Sequence, residues 1–185
     1  MNRKFFLIFC FFSIRLLCWS DWETRSPMPT KRFSPECVRI KNEIYAVGGF
    51  SVDKEFLGVN EAYDIETDTW EKKSDLQTPR SSAGIAQCDG KIYIFGGSNP
   101  PLNDLASVEE YNPKEDKWIY KAEMITPRHG QTAECVDGKI YVIGGIKAGT
   151  IKRYNVNEVY DPSEDKWEVR NPMPIANRGM GSAVY

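Results

Sequence analysis

Four tryptophans, Trp22, Trp70, Trp118 and Trp167, stand 48, 48 and 49 residues apart. No other feature of the 185-residue sequence restricts its fold so tightly. Glycine pairs keep the same step at Gly48-Gly49, Gly96-Gly97 and Gly144-Gly145, and Tyr63, Tyr111 and Tyr160 each precede a tryptophan by seven residues. Arg32, Arg80, Arg128 and Arg178 follow the tryptophans by 10, 10, 10 and 11 residues. Repetition at this period means a propeller or an array of supersecondary units.

Within one unit every local signal is β. Gln131–Val136 runs into Asp137-Gly138, a two-residue hairpin turn. Lys139–Ile143 follows as an apolar run that stops at the glycine pair, the pattern of a strand covered on both faces. Asn157–Tyr160 and Lys166–Val169 form the third and fourth strands around the turn Asp161–Asp165. Four short antiparallel strands per repeat make one propeller blade.

The sequence closely resembles the kelch family. Its glycine pairs end the strands IYAVGG, IYIFGG and IYVIGG; its tyrosines lie in NEAYD, VEEYN and NEVYD; and Met28, Leu76, Met124 and Met173 each follow a tryptophan by six residues. Small departures are Leu76 in place of a methionine, Lys41-Asn42 in place of Asp-Gly, and Arg178 one residue late. The resemblance implies an all-β, kelch-type β-propeller, incomplete, with repeats at about 30–76, 78–124 and 126–173 and a partial one at 174–185. A lone fourth strand around Trp22 and a lone first strand over 179–185 are expected to flank the three blades. Propellers close with four to eight blades, so the expectation is a fragment of a longer ring, with self-association through open blade edges as the alternative.

Residues recurring once per blade read as scaffold: the glycine pairs, Tyr63, Tyr111, Tyr160, the four tryptophans and the four arginines. The resemblance implies that the arginines form buried links with Glu61, Glu109 and Glu158. The acidic pairs Glu66/Asp68, Glu115/Asp116 and Glu164/Asp165 fall in the same turn of each blade and read as solvated turn residues.

The first twenty residues read as a secretory signal peptide: Met1–Lys4 is basic, Phe5–Ile14 is uncharged, and Cys18-Trp19-Ser20 offers small residues for cleavage. The apolar run is too short to span a bilayer, and Arg15 interrupts the leader. A secreted or periplasmic location follows, with a cytoplasmic one if the start is mis-assigned. Cys37, Cys88 and Cys135 remain, odd in number and without a CxxC pair. They read as three buried free thiols, which counts against an oxidising compartment.

The leader carries +3; taking it from the chain's −2 leaves −5 for residues 21–185. A body that acidic does not attract nucleic acid. The single histidine, His129, excludes multi-histidine metal sites and the copper centre of kelch oxidases similar to galactose oxidase. No cofactor or metal is expected.

Function should lie where the repeat is broken. The stretch after each glycine pair is variable: residues 50–57, residues 98–105 with Asn99, and residues 146–156 with Lys147, Lys152, Arg153 and Tyr154. The third has three cations and no acid, an anion-attracting spot on an acidic body. In kelch domains these loops and the residues after the repeat arginine, here Ser81-Ser82, His129-Gly130 and Gly179-Met180, line the ligand-binding end. Ser81, Ser82, Asn99, His129, Lys147, Lys152, Arg153 and Tyr154 are therefore the candidate ligand residues. No catalytic residue is assigned, because no nucleophile with an orienting carboxylate stands beside His129 in sequence. The expected function is protein binding rather than catalysis. A secreted sugar-binding or sialic-acid-mutarotase-like enzyme, taking an acidic sugar or glycan, is the second reading. A ubiquitin-ligase substrate adaptor is the third. Adaptors of this type that capture acidic peptides carry arginines two residues after the repeat arginine, and here those positions are Ser34, Ser82, Gly130 and Met180.

Overall fold

A computed structural model describes residues 22–184 apart from Pro100 and Leu102. The leader over residues 1–20 lies outside the described residues, as does Tyr185. The first blade is β1 (Glu36–Ile40), β2 (Glu43–Val47), β3 (Asn60–Asp64) and β4 (Thr69–Lys73). The second contains β5 (Gly84–Cys88), β6 (Lys91–Phe95), the short hairpin β7 (Ser98–Asn99) and β8 (Asn103–Asp104), then β9 (Val108–Asn112) and β10 (Lys117–Lys121). The third is β11 (Thr132–Val136), β12 (Lys139–Ile143), β13 (Asn157–Asp161) and β14 (Lys166–Val169). Each blade is one four-stranded antiparallel sheet in sequence order, and each falls inside one repeat.

The seven-residue spacing of tyrosine and tryptophan places them as cross-strand neighbours on the third and fourth strands. Their rings pack at 5.1, 4.9 and 5.1 Å in the three blades, a geometry that adds to plain burial of area. The first strand β5 packs against both β1 and β11, and the three line a central cavity, while the tryptophan strands lie outermost. Two cores fill the seams. Tyr45, Val47 and Ala62 meet Ile92, Ile94, Tyr111 and Trp118 between the first and second blades. Tyr93, Phe95 and Val108 meet Ile140, Val142 and Tyr160 between the second and third. Tyr141 and Ile143 are only half-buried, whereas their counterparts Tyr93 and Phe95 are buried, because no blade packs beyond the third among the described residues.

The glycine pairs are required by close approach. Gly96 has φ 53°, and a Cβ there would sit 2.6 Å from the Arg128 carbonyl oxygen, while the Gly97 N–H donates to that same oxygen at 3.0 Å.

Four sequence expectations are corrected. The flanking segments form no strand over 22–32 or 174–184, and Trp22 is fully exposed. Seven residues before Trp22 stands Arg15, so the tyrosine that packs against each other tryptophan is missing from the sequence. Cys88 and Cys135 are joined by a disulfide between β5 and β11, and Cys37 is exposed rather than buried; offset by one position on adjacent inner strands, the first two meet across the seam. Asp68, Asp116 and Asp165 are not merely solvated turn residues. Asp116 accepts the Tyr111 hydroxyl at 2.6 Å and the Ser74 N–H of the preceding link at 2.8 Å. Asp68 and Asp165 do the same with Tyr63 and Ser26, and with Tyr160 and Ala122. These bonds to the charged form hold Asp68 and Asp116 below the usual carboxylate range, the tyrosine hydroxyl being the larger cause.

The fourth correction concerns Arg178. Arg32, Arg80 and Arg128 are buried against Glu61, Glu109 and Glu158 at 2.9, 2.6 and 2.7 Å. In the fourth link the carbonyl that meets the glycine pair belongs to Asn177, which bonds Gly145 as Arg128 bonds Gly97. Asn177, ten residues after Trp167, thus holds the repeat-arginine position, and exposed Arg178 stands in the place of His129.

Candidate functional site

The residue after each repeat arginine pairs with the residue after the glycine pair: Phe33 with Phe50, Ser81 with Ser98 and His129 with Ile146. This pairing brings the variable loops and the link turns to one end of the blades. Neighbouring turns are tied in series, since Gly130 N–H donates to the Ser82 carbonyl at 2.7 Å and Gly179 N–H to the Gly130 carbonyl at 2.8 Å. The left-handed backbone that these turns need is present at Ser82, Gly130 and Gly179, with φ of 54°, 65° and 61°.

At this rim the third blade's loop opens a cleft of about 560 Å³, lined by His129, Lys147, Thr150, Arg153 and Arg178 among others. The loop is shaped by its own backbone: Lys147 N–H donates to the Lys152 carbonyl at 3.1 Å and Tyr154 N–H to the Gly145 carbonyl at 2.8 Å. Lys147, Arg153 and Arg178 have no carboxylate within 4.0 Å among the described residues. Unpaired cations converging on a concavity attract an anion and offer it several N–H donors.

The structure therefore gathers three of the eight candidate residues, His129, Lys147 and Arg153, into one site. Tyr154 lines an adjoining cleft with Asn103, Asp104 and Lys147. Lys152 does not line the basic cleft; its ammonium stands 5.7 Å over the Tyr154 ring. Ser81 is buried and engaged through its backbone with Ser98. Ser82 serves through its carbonyl, and Asn99 pairs with Asn103 in the β7–β8 hairpin.

Two residues of this rim escaped sequence reasoning. Arg178 was hidden by its one-residue displacement, which made it look like a scaffold arginine. Asp104 lies at the end of β8, where Oδ1 accepts the His129 Nδ1–H at 2.6 Å and Oδ2 accepts the Ala148 N–H at 2.7 Å. The only available signal for it was an acid placed in the same variable stretch as Asn99.

A second cavity, of about 230 Å³, lies on the inner strands and is lined by Glu36, Gly84, Gln131, Glu134 and Ser182 among others. Burial pushes the Glu36 carboxyl up to about 7, against a backbone hydrogen bond from Ala83 that lowers it. Among the described residues no group of three or more His, Cys, Asp or Glu side chains is placed to hold a metal ion.

Consecutive four-stranded blades, first strands innermost and links passed from blade to blade, define a β-propeller architecture. The chain belongs to the kelch-repeat family: the family model described as the KLHDC2/KLHL20/DRC7 Kelch-repeats domain matches residues 2–184. Such a domain is a protein-interaction module. Among curated proteins no match is found.

Proposed function

We propose that the rim cleft of the third blade is the recognition site of this interaction module, and that it receives an acidic group of a partner protein. The observation that carries this reading is the convergence of Lys147, Arg153 and Arg178 on one concave surface of a chain whose net charge is −2. Local positive potential on an acidic body selects by chemistry and orients the partner as it approaches.

The test is a fluorescence-anisotropy screen of acidic and charge-neutralised peptides against the full chain, with sialic acid as a competitor to report whether a carboxylated sugar enters the same cleft. Acidic peptides should bind, and Lys147→Ser with Arg153→Ser should weaken them at least about tenfold while leaving the melting temperature unchanged. Peptide binding that ignores the double substitution would mean that the cleft is not the recognition site.

Two further proposals concern the environment of the module. Secretion is supported by the Cys88–Cys135 disulfide, a bond that persists in oxidising compartments. Self-association is supported by half-exposed Tyr141 and Ile143 on the outer face of the third blade.

A further inference from the structure

We infer that the rim cleft takes up its anion together with a proton, carried by His129 and governed by Asp104. The inference rests on the cleft being an anion site, as proposed above. His129 and Asp104 are fastened at 2.6 Å, and the other Asp104 oxygen is held by the Ala148 N–H, so a carboxylate of the second blade is anchored against the cleft-forming loop of the third. The histidine side chain remains partly open, and the aspartate is nearly covered.

The charged groups around the imidazole come from three elements. Asp104 stands on β8, Lys147 and Arg153 on the loop between β12 and β13, and Arg178 on the segment after β14. With the imidazole neutral, the Asp104 carboxylate opposes the three cations and repels an entering anion. A proton on the ring cancels that charge without breaking the hydrogen bond, since the ring keeps donating through Nδ1. The cleft then offers its full positive field. Coupling of this kind is reciprocal: a proton that strengthens anion binding is itself held more tightly once the anion is bound. Imidazole is the side chain whose charge changes between pH 5 and 8, and His129 is the sole histidine of the chain.

Sulfate is the probe, because its charge is constant over this range. Titrated into the full chain, it should bind about tenfold more tightly at pH 5.5 than at pH 8, within the span usual for coupled sites. The His129 ring proton resonance should titrate at higher pH in its presence. His129→Gln should flatten the pH dependence. Asp104→Asn should raise the affinity at pH 8, because the carboxylate that opposes the three cations is gone. Glu36→Gln should leave the rise intact, because that carboxyl also titrates but lies in the central cavity. Equal sulfate affinity at both pH values, with an unmoved His129 titration, overturns the proton coupling and leaves the anion site standing. Sulfate that binds at neither pH removes both. The resonance measurement needs no substitution, so it decides between these outcomes even where a variant fails to fold.

Discussion

The indole N–H of Trp118 donates to the Ser74 carbonyl oxygen at 2.8 Å, across the seam between the second blade and the link that leaves the first. The same peptide region is gripped from the other side, where Asp116 accepts the Ser74 N–H. Trp70 and Trp167 repeat the contact on Ser26 and Ala122, each at 2.9 Å. Tyrosine, aspartate and tryptophan of one blade thus form a clamp on a single residue of the preceding link, four positions after the previous tryptophan. The repeat period is the distance from one clamp to the next.

Trp118→Ala should cost about 3–5 kcal/mol, because a side chain only 4% exposed leaves a cavity between two blades. Trp118→Phe keeps most of the ring and loses the donor, so its cost should be nearer 1 kcal/mol. Chemical denaturation of the two variants checks the order; equal costs would show that the bond to Ser74 matters more than the packing.

Arg80 and Glu109 are both fully buried, and Glu109 also accepts the Gln77 and Thr78 N–H groups. Arg80→Met should therefore destabilise by about 3–5 kcal/mol, since it strands a buried carboxylate. Adding Glu109→Leu should recover part of that loss, and a double-mutant cycle measures it. Strict additivity of the two substitutions would contradict coupling through the pair.

Glu36 makes stability depend on pH. Its folded carboxyl keeps a proton up to about 7, while the unfolded chain releases it near 4.5. Between those values the unfolded state binds fewer protons, so stability should fall as pH rises from about 4.5 to 7 and level off above. Glu36→Gln should lack that fall and melt higher than the parent chain at pH 8, with little difference at pH 4. Calorimetric melting curves that stay parallel across this range would contradict the burial of the carboxyl.

The disulfide predicts one cross-linked peptide. A non-reducing digest of the full chain, analysed by mass spectrometry, should join the peptide containing Cys88 to that containing Cys135 and find Cys37 alkylated. Alkylation of Cys88 and Cys135 as well as Cys37 would contradict it.

The blade plan was legible because each strand is written locally: apolar runs stop at glycine pairs, Asp-Gly turns close hairpins, and tyrosine and tryptophan flank one turn. Thr132–Val136 and Lys139–Ile143 lie within a residue of where periodicity places them. The seams were less legible, because their partners are separated by roughly one repeat. Asp116 reaches Ser74 over 42 residues, and Asp104 reaches Ala148 over 44. Nothing in the neighbourhood of an acid in a turn shows that its second partner belongs to another blade. Arg178 misled for a different reason. An asparagine at the repeat-arginine position followed at once by an arginine preserves the look of the motif, and the backbone bonds of Asn177 and Gly179 reveal that Arg178 is a rim residue.

Amide hydrogen exchange at Ser74 and Ala122, followed by NMR, tests most directly the claim that one repeated clamp joins the blades. Both amides lie in links outside the strands, where unclamped backbone exchanges quickly. The clamp predicts protection comparable to that of the β6 and β12 strands, lost at Ser74 alone in an Asp116→Ala variant. Exchange of both amides at open-loop rates in the parent chain would contradict it.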